Sequence, residues 1–259
     1  MTTATTGMEI VELRPNLYQL KAVRPGSHVY VIKGTSKNVL IDTSMAAFFP
    51  YLKTSLQRLG LRPKDIHFII LTHEHFDHIG ATMLFYDTAV VAAHRLAANK
   101  IELQDEFVTM IKTCTASCRP FRADLWLEDG SIIDLGDYKL NVVHTPGHTS
   151  GCICLYEPRE RILFSGDTVF GGGTLSQIAS SGSISDYMNS LQRLASLRVK
   201  EMYPAHGRLS EDPEGDIQRG LQQAYDLFDD TKALFDALSH GRGGKGRVLQ
   251  TMGKLYFSK

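Results

Sequence analysis

The chain has 259 residues, is 43% apolar and 22% charged, and balances 28 basic against 28 acidic side chains. That is enough apolar material for one large domain or two small ones, and zero net charge argues against a polyanion-binding surface, although a local basic patch can hide in a neutral total. The polar first seven residues show no basic or apolar signal region, and no apolar run approaches the ~20 residues of a membrane span, so a soluble cytoplasmic protein with no membrane partner is expected.

Residues 1–7 read as a disordered tail. Ile10–Leu13, Leu17–Leu20, His28–Ile32 and Val39–Asp42 read as an antiparallel meander, broken at Pro15-Asn16, Pro25-Gly26-Ser27 and Gly34-Thr35-Ser36. Asp42 has two competing roles: orienting a metal-binding imidazole, or capping the amphipathic helix Phe48–Leu59, which Gly60 and Pro63 close. Ile66–Leu71 is short, β-branched and aromatic, a buried strand.

Where that strand ends stands Thr72-His73-Glu74-His75-Phe76-Asp77-His78, followed by Gly80 and the helix-forming Ala81–Phe85. It packs four metal-ligand side chains, His73, His75, Asp77 and His78, into six positions. Imidazole with carboxylate suits zinc, iron or manganese. On extended chain alternate side chains share a face, so His73 and His75 can reach one ion; after a turn Asp77 and His78 can reach a second. A metal-free surface loop is the bland alternative, but open α/β sheets build their sites at strand ends.

Ala89–Ala93 is the next strand. Helical apolar spacing from Arg95 to Thr113 places one or two helices in an insertion, 95–125, between the two halves of the protein. Phe107, Met110, Phe121 and Trp126 are candidate pocket walls, each with core packing as the competing role. The second half opens at Trp126–Gly130, turns into Ser131–Leu135, and continues with strands at Tyr138–His144, Cys152–Tyr156 and Arg161–Ser165. A helix at Ser185–Leu197, a strand at Lys200–Tyr203 and an amphipathic helix at 216–238 follow. Gly241–Arg247 reads as a solvated basic linker and Val248–Phe257 as a short terminal helix. His28, His67, His94, His144 and His240 are read as structural. Cys114 and Cys118 are read as reduced thiols; Cys152 and Cys154 alternate on a strand and face opposite sides.

His73-x-His75-x-Asp77-His78 resembles the signature of the metallo-β-lactamase superfamily. Three further loops match in order: His148 in Val143–Gly151, Asp167 in Leu163–Phe170 and His206 in Tyr203–Gly207, each after an apolar run. The resemblance covers residues 8–210. It implies an α/β (α+β) chain folded as a four-layer αβ/βα sandwich, with the 95–125 insertion near the site and a helical extension at 211–259. It also implies two divalent ions, zinc first with iron or manganese as alternatives. His73, His75 and His148 would hold one, Asp77, His78 and His206 the other, with Asp167 bridging. The implied catalyst is a metal-bridging hydroxide oriented by Asp77, which passes a proton to the leaving group.

The implied activity is hydrolysis of a small-molecule ester, thioester or lactone, similar to glyoxalase II. A β-lactamase-like endoribonuclease and a mononuclear-iron persulfide dioxygenase are the alternatives; the neutral charge counts against nucleic acid. Asp167 stands where antibiotic-degrading members carry Cys. His75 stands where the diiron oxygen reductases carry Glu. Gly171–Ile178 offers no cation for a glutathione thioester, and Cys152 replaces a His often found there. Oligomeric state is left open.

Overall fold

The apolar runs of the first hundred residues pair into one sheet. The computed structural model describes residues 7–110 and 120–239. Strands β1 (Ile10–Arg14), β2 (Leu17–Leu20), β3 (Val29–Lys33) and β4 (Asn38–Ile41) form the antiparallel meander. Helix α1 (Phe49–Arg58) then crosses over, and β5 (Phe68–Leu71) and β6 (Val90–His94) add in parallel. Between them lies the four-residue helix α2 (Phe76–Ile79). Strand alternation divides the side chains: Val31, Leu40, Ile69 and Val91 face α1 with its Leu52 and Leu56. Ile32, Val39, Ile41, Ile70 and Ala92 face the opposite way, into the centre of the molecule.

The insertion holds α3 (Arg95–Glu102) and α4 (Glu106–Thr109), broken at Leu103–Asp105. Its far end corrects the sequence reading. Leu125–Leu127 does not open the second half; it is β7, and it pairs in parallel with β6 through Ala93 and Trp126. Asp124 secures the junction, its backbone N–H donating to the Val91 carbonyl while its carboxylate accepts the Val91 N–H. The insertion therefore leaves and rejoins the same sheet, and the chain crosses to the second sheet only at Glu128–Gly130. Phe121 is buried in the α1-side core and Trp126 is 58% exposed on the edge strand, so neither walls a pocket at the site.

The second sheet runs β12-β11-β10-β9-β8, from β8 (Ile132–Asp134), β9 (Lys139–His144), β10 (Ile153–Glu157), β11 (Ile162–Gly166) and β12 (Glu201–Pro204). It is antiparallel except for the β11–β12 pair. Leu140, Val142, Ile153, Leu155 and Phe164 pack on the first sheet, with Phe164 edge-on to Tyr30. The outer face, Val143, Cys154, Leu163 and Met202, is covered by α5 (Ile184–Ala195) through Tyr187, Leu191 and Leu194, and by Ile217 and Ala224 of α6 (Pro213–Ser239). The result is helix, sheet, sheet, helix, the four-layer sandwich expected.

No helix among the described residues is long and apolar enough to cross a membrane. The readings of residues 1–6, Cys114, Cys118, His240, Gly241–Arg247 and Val248–Phe257 lie outside the described residues.

Candidate metal centre

The C-terminal ends of β4, β5, β11 and β12 and the β9–β10 loop meet at one edge of the sandwich. Asp42 is placed just beyond β4 with a left-handed φ of 59°. Its carboxylate accepts Thr72 N–H at 2.8 Å and the Thr72 hydroxyl at 2.7 Å. His78 Nδ1 donates to its Oδ2 at 2.8 Å. Asp42 thus orients an imidazole, and the helix-cap reading fails because α1 starts only at Phe49.

His73 and His75 sit one residue apart on the bend after β5, with His75 extended, and α2 then carries Asp77 and His78. Gly80 allows this turn to pack flush: an added Cβ would lie 2.7 Å from the Ala46 nitrogen. Gly166, at φ 51°, swings the chain after β11 so that Asp167 enters the cluster. His148 follows β9, with Nδ1 hydrogen-bonded to the Gln177 carbonyl and Nε2 3.0 Å from His75 Nδ1. His206 follows β12, whose end is tied to β11 by the Ala205 N–H donating to the Gly166 carbonyl.

The ligand atoms converge in three overlapping groups, each within 4.8 Å: His73, His75 and His148; Asp77, His78 and His206; and His73, His78 and Asp167. Asp167 straddles the first two. Its Oδ1 is 3.5 Å from His78 Nε2 and 3.6 Å from His206 Nε2, whereas its Oδ2 is 3.8 Å from His148 Nε2. His73 Nε2, His75 Nε2 and Asp167 Oδ1 are buried with no hydrogen-bond partner among the described residues. Buried polar atoms are rarely left so. His73 shares one ligand group with His75 and another with Asp167, and imidazole with carboxylate fits a divalent transition metal.

The electrostatics agree. Burial, reinforced by the neighbouring imidazoles, pushes His73 well below its usual range and His75 down to about 3, leaving their lone pairs free. Burial opposes charge on His78 too, but Asp167, Asp77 and Asp42 outweigh it and raise His78 to about 10. Burial likewise works against ionised Asp77, yet His78 and His206 hold it below the usual carboxylate range. His73 and His75 are thus held neutral and Asp77 ionised, the states in which they can ligate a metal.

Sequence reading missed Glu74. It stands on the bend between the two histidines and is fully buried. It accepts the Thr149 hydroxyl at 3.0 Å and the Ser181 hydroxyl at 3.4 Å, and sits 3.5 Å from Lys100 Nζ. It thereby ties the metal loop to the loop bearing His148. Tyr187 was missed too; its hydroxyl donates to the Thr168 carbonyl at 2.7 Å and supports the Asp167 loop from below. The structural histidines have other partners. His28 pins the Gly207 carbonyl, His67 accepts the Asn38 N–H, and His94 stacks on His144 at 3.8 Å. Cys152 and Cys154 are buried on different surroundings, and burial raises both thiols.

The cluster opens into a groove of about 460 Å³ bounded by Phe76, Phe107, Val108, Met110 and Ile178.

A family model of the metallo-beta-lactamase superfamily matches residues 23–206. An acyl-coenzyme A thioesterase of Homo sapiens is 32% identical over 206 residues, covering 70% of this chain and 72% of that protein. An atrochrysone carboxyl ACP thioesterase of a Cryptosporiopsis species is 24% identical over 255 residues, covering 93% of this chain and 71% of its own. A metallo-beta-lactamase family protein of Thermus thermophilus superposes with a TM-score of 0.71 at 26% identity, covering 86% of this chain and 83% of the other. The chain belongs to the metallo-β-lactamase superfamily of metallo-hydrolases.

Proposed function

We propose that the chain hydrolyses acyl thioesters with the help of two divalent ions, zinc first. The observation that carries this reading is the clustering of His73, His75 and His148 and of Asp77, His78 and His206 about Asp167, beside a groove that also presents Phe76, Phe107 and Met110. The thioesterase activities named for two relatives point the same way. In this reading His73, His75 and His148 hold one ion, Asp77, His78 and His206 the other, and Asp167 lies between them. When bound, such ions acidify a water and polarise a carbonyl oxygen.

The protein's own groups do the rest. Asp42 and the Gln177 carbonyl fix the tautomers of His78 and His148 through their Nδ1 atoms, turning each Nε2 inward. Asp77 lines the groove and is ionised. Its carboxylate accepts a proton from the attacking water and delivers it to the departing sulfur. A C–O bond forms, the C–S bond breaks, and acid plus thiol result. Phe76, Phe107 and Met110 hold the acyl chain and keep bulk water from the reacting carbon.

Hydrolysis of a panel of acyl thioesters by zinc-loaded protein, with Asp77→Asn as control, tests the reading. Activity that falls ~100-fold or more in the variant is expected. One bound iron with oxygen consumption on a persulfide would overturn it.

A further inference from the structure

A second cavity, of about 720 Å³, reaches the metal cluster at His206 and adjoins the first groove at Pro25. His206 lines it, while His75, Asp77, His148 and Asp167 line the first, and Pro25 borders both. The two cavities therefore adjoin at the cluster, and they differ in the charge they carry: carboxylates, Asp77 and Asp167, line the first, and cations line the second. Phe107 is 78% exposed, and Met110 and Ile178 more than a third, at the groove's apolar lip. Exposed apolar side chains gathered at a site mark something to be covered.

The second cavity carries Lys21, Arg24 and Arg208 in its wall, and no carboxylate lines it. Among the described residues, Lys21 and Arg208 pair only with exposed partners, Glu9 at 2.6 Å and Glu211 at 3.8 Å. Such surface pairs hold weakly and exchange readily for a better anion. Arg24 makes no hydrogen bond or ion pair among the described residues. The balanced total charge thus conceals a local cationic lobe, supplied by the β2–β3 loop and the segment after His206. It does not come from the segment after Asp167, where sequence reading looked for a cation.

We propose that the substrate is a thioester lying across both lobes. Its apolar acyl chain fills the groove at Phe107 and Met110, and its thiol half, bearing phosphate, occupies the lobe of Lys21, Arg24 and Arg208. Guanidinium and ammonium groups are the side chains that take phosphate oxygens in charge-assisted bonds. Both volumes fall within the range of small-molecule sites. The assignment rests on the thioesterase reading above and adds the division of the substrate between two sides. A phosphorylated thiol can be a free nucleotide conjugate or the prosthetic arm of a carrier protein; the chemistry recognised is the same.

The test compares three dodecanoyl thioesters on the zinc-loaded protein: of coenzyme A, of a phosphopantetheinyl carrier protein, and of uncharged pantetheine. A kcat/KM ratio of about 10- to 100-fold in favour of a phosphate-bearing form over the neutral one is expected, the worth of one or two charge-assisted bonds. Preference for either phosphate-bearing form supports the proposal and identifies the source. The ratio should shrink with salt and fall to about one when Arg24→Glu and Arg208→Glu are combined. Equal rates on charged and neutral thioesters in the unaltered protein would overturn it.

The size-preserving pair Arg24→Gln and Arg208→Gln repeats the comparison with less risk to folding. Binding of coenzyme A by calorimetry, expected to weaken by about 10-fold in that pair, reads the lobe without catalysis. If no thioester is cleaved but coenzyme A still binds through Arg24 and Arg208, the thioesterase reading fails and the cationic lobe stands. If neutral and charged thioesters are cleaved alike and coenzyme A does not bind, the lobe assignment alone fails.

Discussion

His78 donates from Nδ1 to Asp42 Oδ2 across 2.8 Å, although 36 residues separate them. The same carboxylate holds the Thr72 backbone at the root of the metal loop. Thr43 completes the clamp, donating to the His78 carbonyl from both backbone and hydroxyl. One buried acid beyond β4 therefore fixes the direction of a ligand carried by α2.

Replacing Asp42 by Ala should weaken the ion shared with Asp77 and His206 by about 10- to 100-fold, the usual cost of removing a partner behind a metal ligand. Stability should also fall by about 1–3 kcal/mol, because the Thr72 N–H loses its acceptor. Metal content per chain after graded dialysis reads the first effect and urea unfolding the second. Retention of both ions at full affinity would show that Asp42 is not needed to orient His78.

Asp167 and His206 differ in reach, since Asp167 presents one oxygen to each trio and His206 touches only its own. Asp167→Ala should therefore empty both positions. His206→Ala should halve the metal content and spare the His73, His75 and His148 position. Stoichiometry by elemental analysis distinguishes them; equal loss in both variants would contradict the two-trio assignment.

Glu74 is fully buried, while Lys100 is 18% exposed and supplies its countercharge. Removing one partner of a buried pair costs ~3–5 kcal/mol, and the wet end of Lys100 reduces that to about 2–3 kcal/mol for Lys100→Met. The unfolding midpoint in urea should drop with the slope unchanged. A shift within experimental error would mean that Glu74 is held by Thr149 and Ser181 alone.

Asp216, on α6, accepts the Gly172 N–H at 2.9 Å and the Ser210 hydroxyl at 2.6 Å, and pairs with Arg219. Burial works against its charge, but Ser210, Arg219 and the Gly172 N–H prevail and depress its pKa. A depressed carboxyl binds protons less readily folded than unfolded. Its stabilisation is thus complete above the unfolded value of ~3.9 and is lost as pH falls through the folded one. Asp216→Asn should be about 1–2 kcal/mol less stable at pH 7, and the gap should narrow below about pH 4. A gap independent of pH would assign the effect to shape rather than charge.

Much of this was legible in the sequence because the ligands sit on strand ends and strand ends are marked by apolar runs. The strand-end pattern pointed to His73, His75, Asp77 and His78, and the resemblance added His148, Asp167 and His206; the structure places their ligand atoms in three neighbouring groups. The strand Leu125–Leu127 was visible, but its sheet was not: three residues carry no signal for which neighbour they pair with, and Asp124 reaching Val91 is a tertiary event. Glu74 was hidden among better-known ligands, since its role depends on Lys100, Thr149 and Ser181, all distant in sequence. The pocket walls divided for a related reason. Helical spacing does not say which face meets solvent, so Phe107 and Phe121 look alike until the core claims Phe121.

The return of the insertion to its own sheet has a consequence for how this protein can change. The segment that bears Phe107 and Met110 starts at His94 and ends at Leu125, on adjacent strands locked by the Ala92–Leu125 and His94–Leu127 pairs. Within it, α3 is tied to the site by Lys100 beside Glu74 and to the core by Ala97, Ala98 and Ile101, so the part open to exchange is α4 and its groove-facing side chains. In the thioesterase reading proposed above, a chimera that exchanges α4 while keeping Lys100 and Asp124 should keep its ions while acquiring a new chain-length preference.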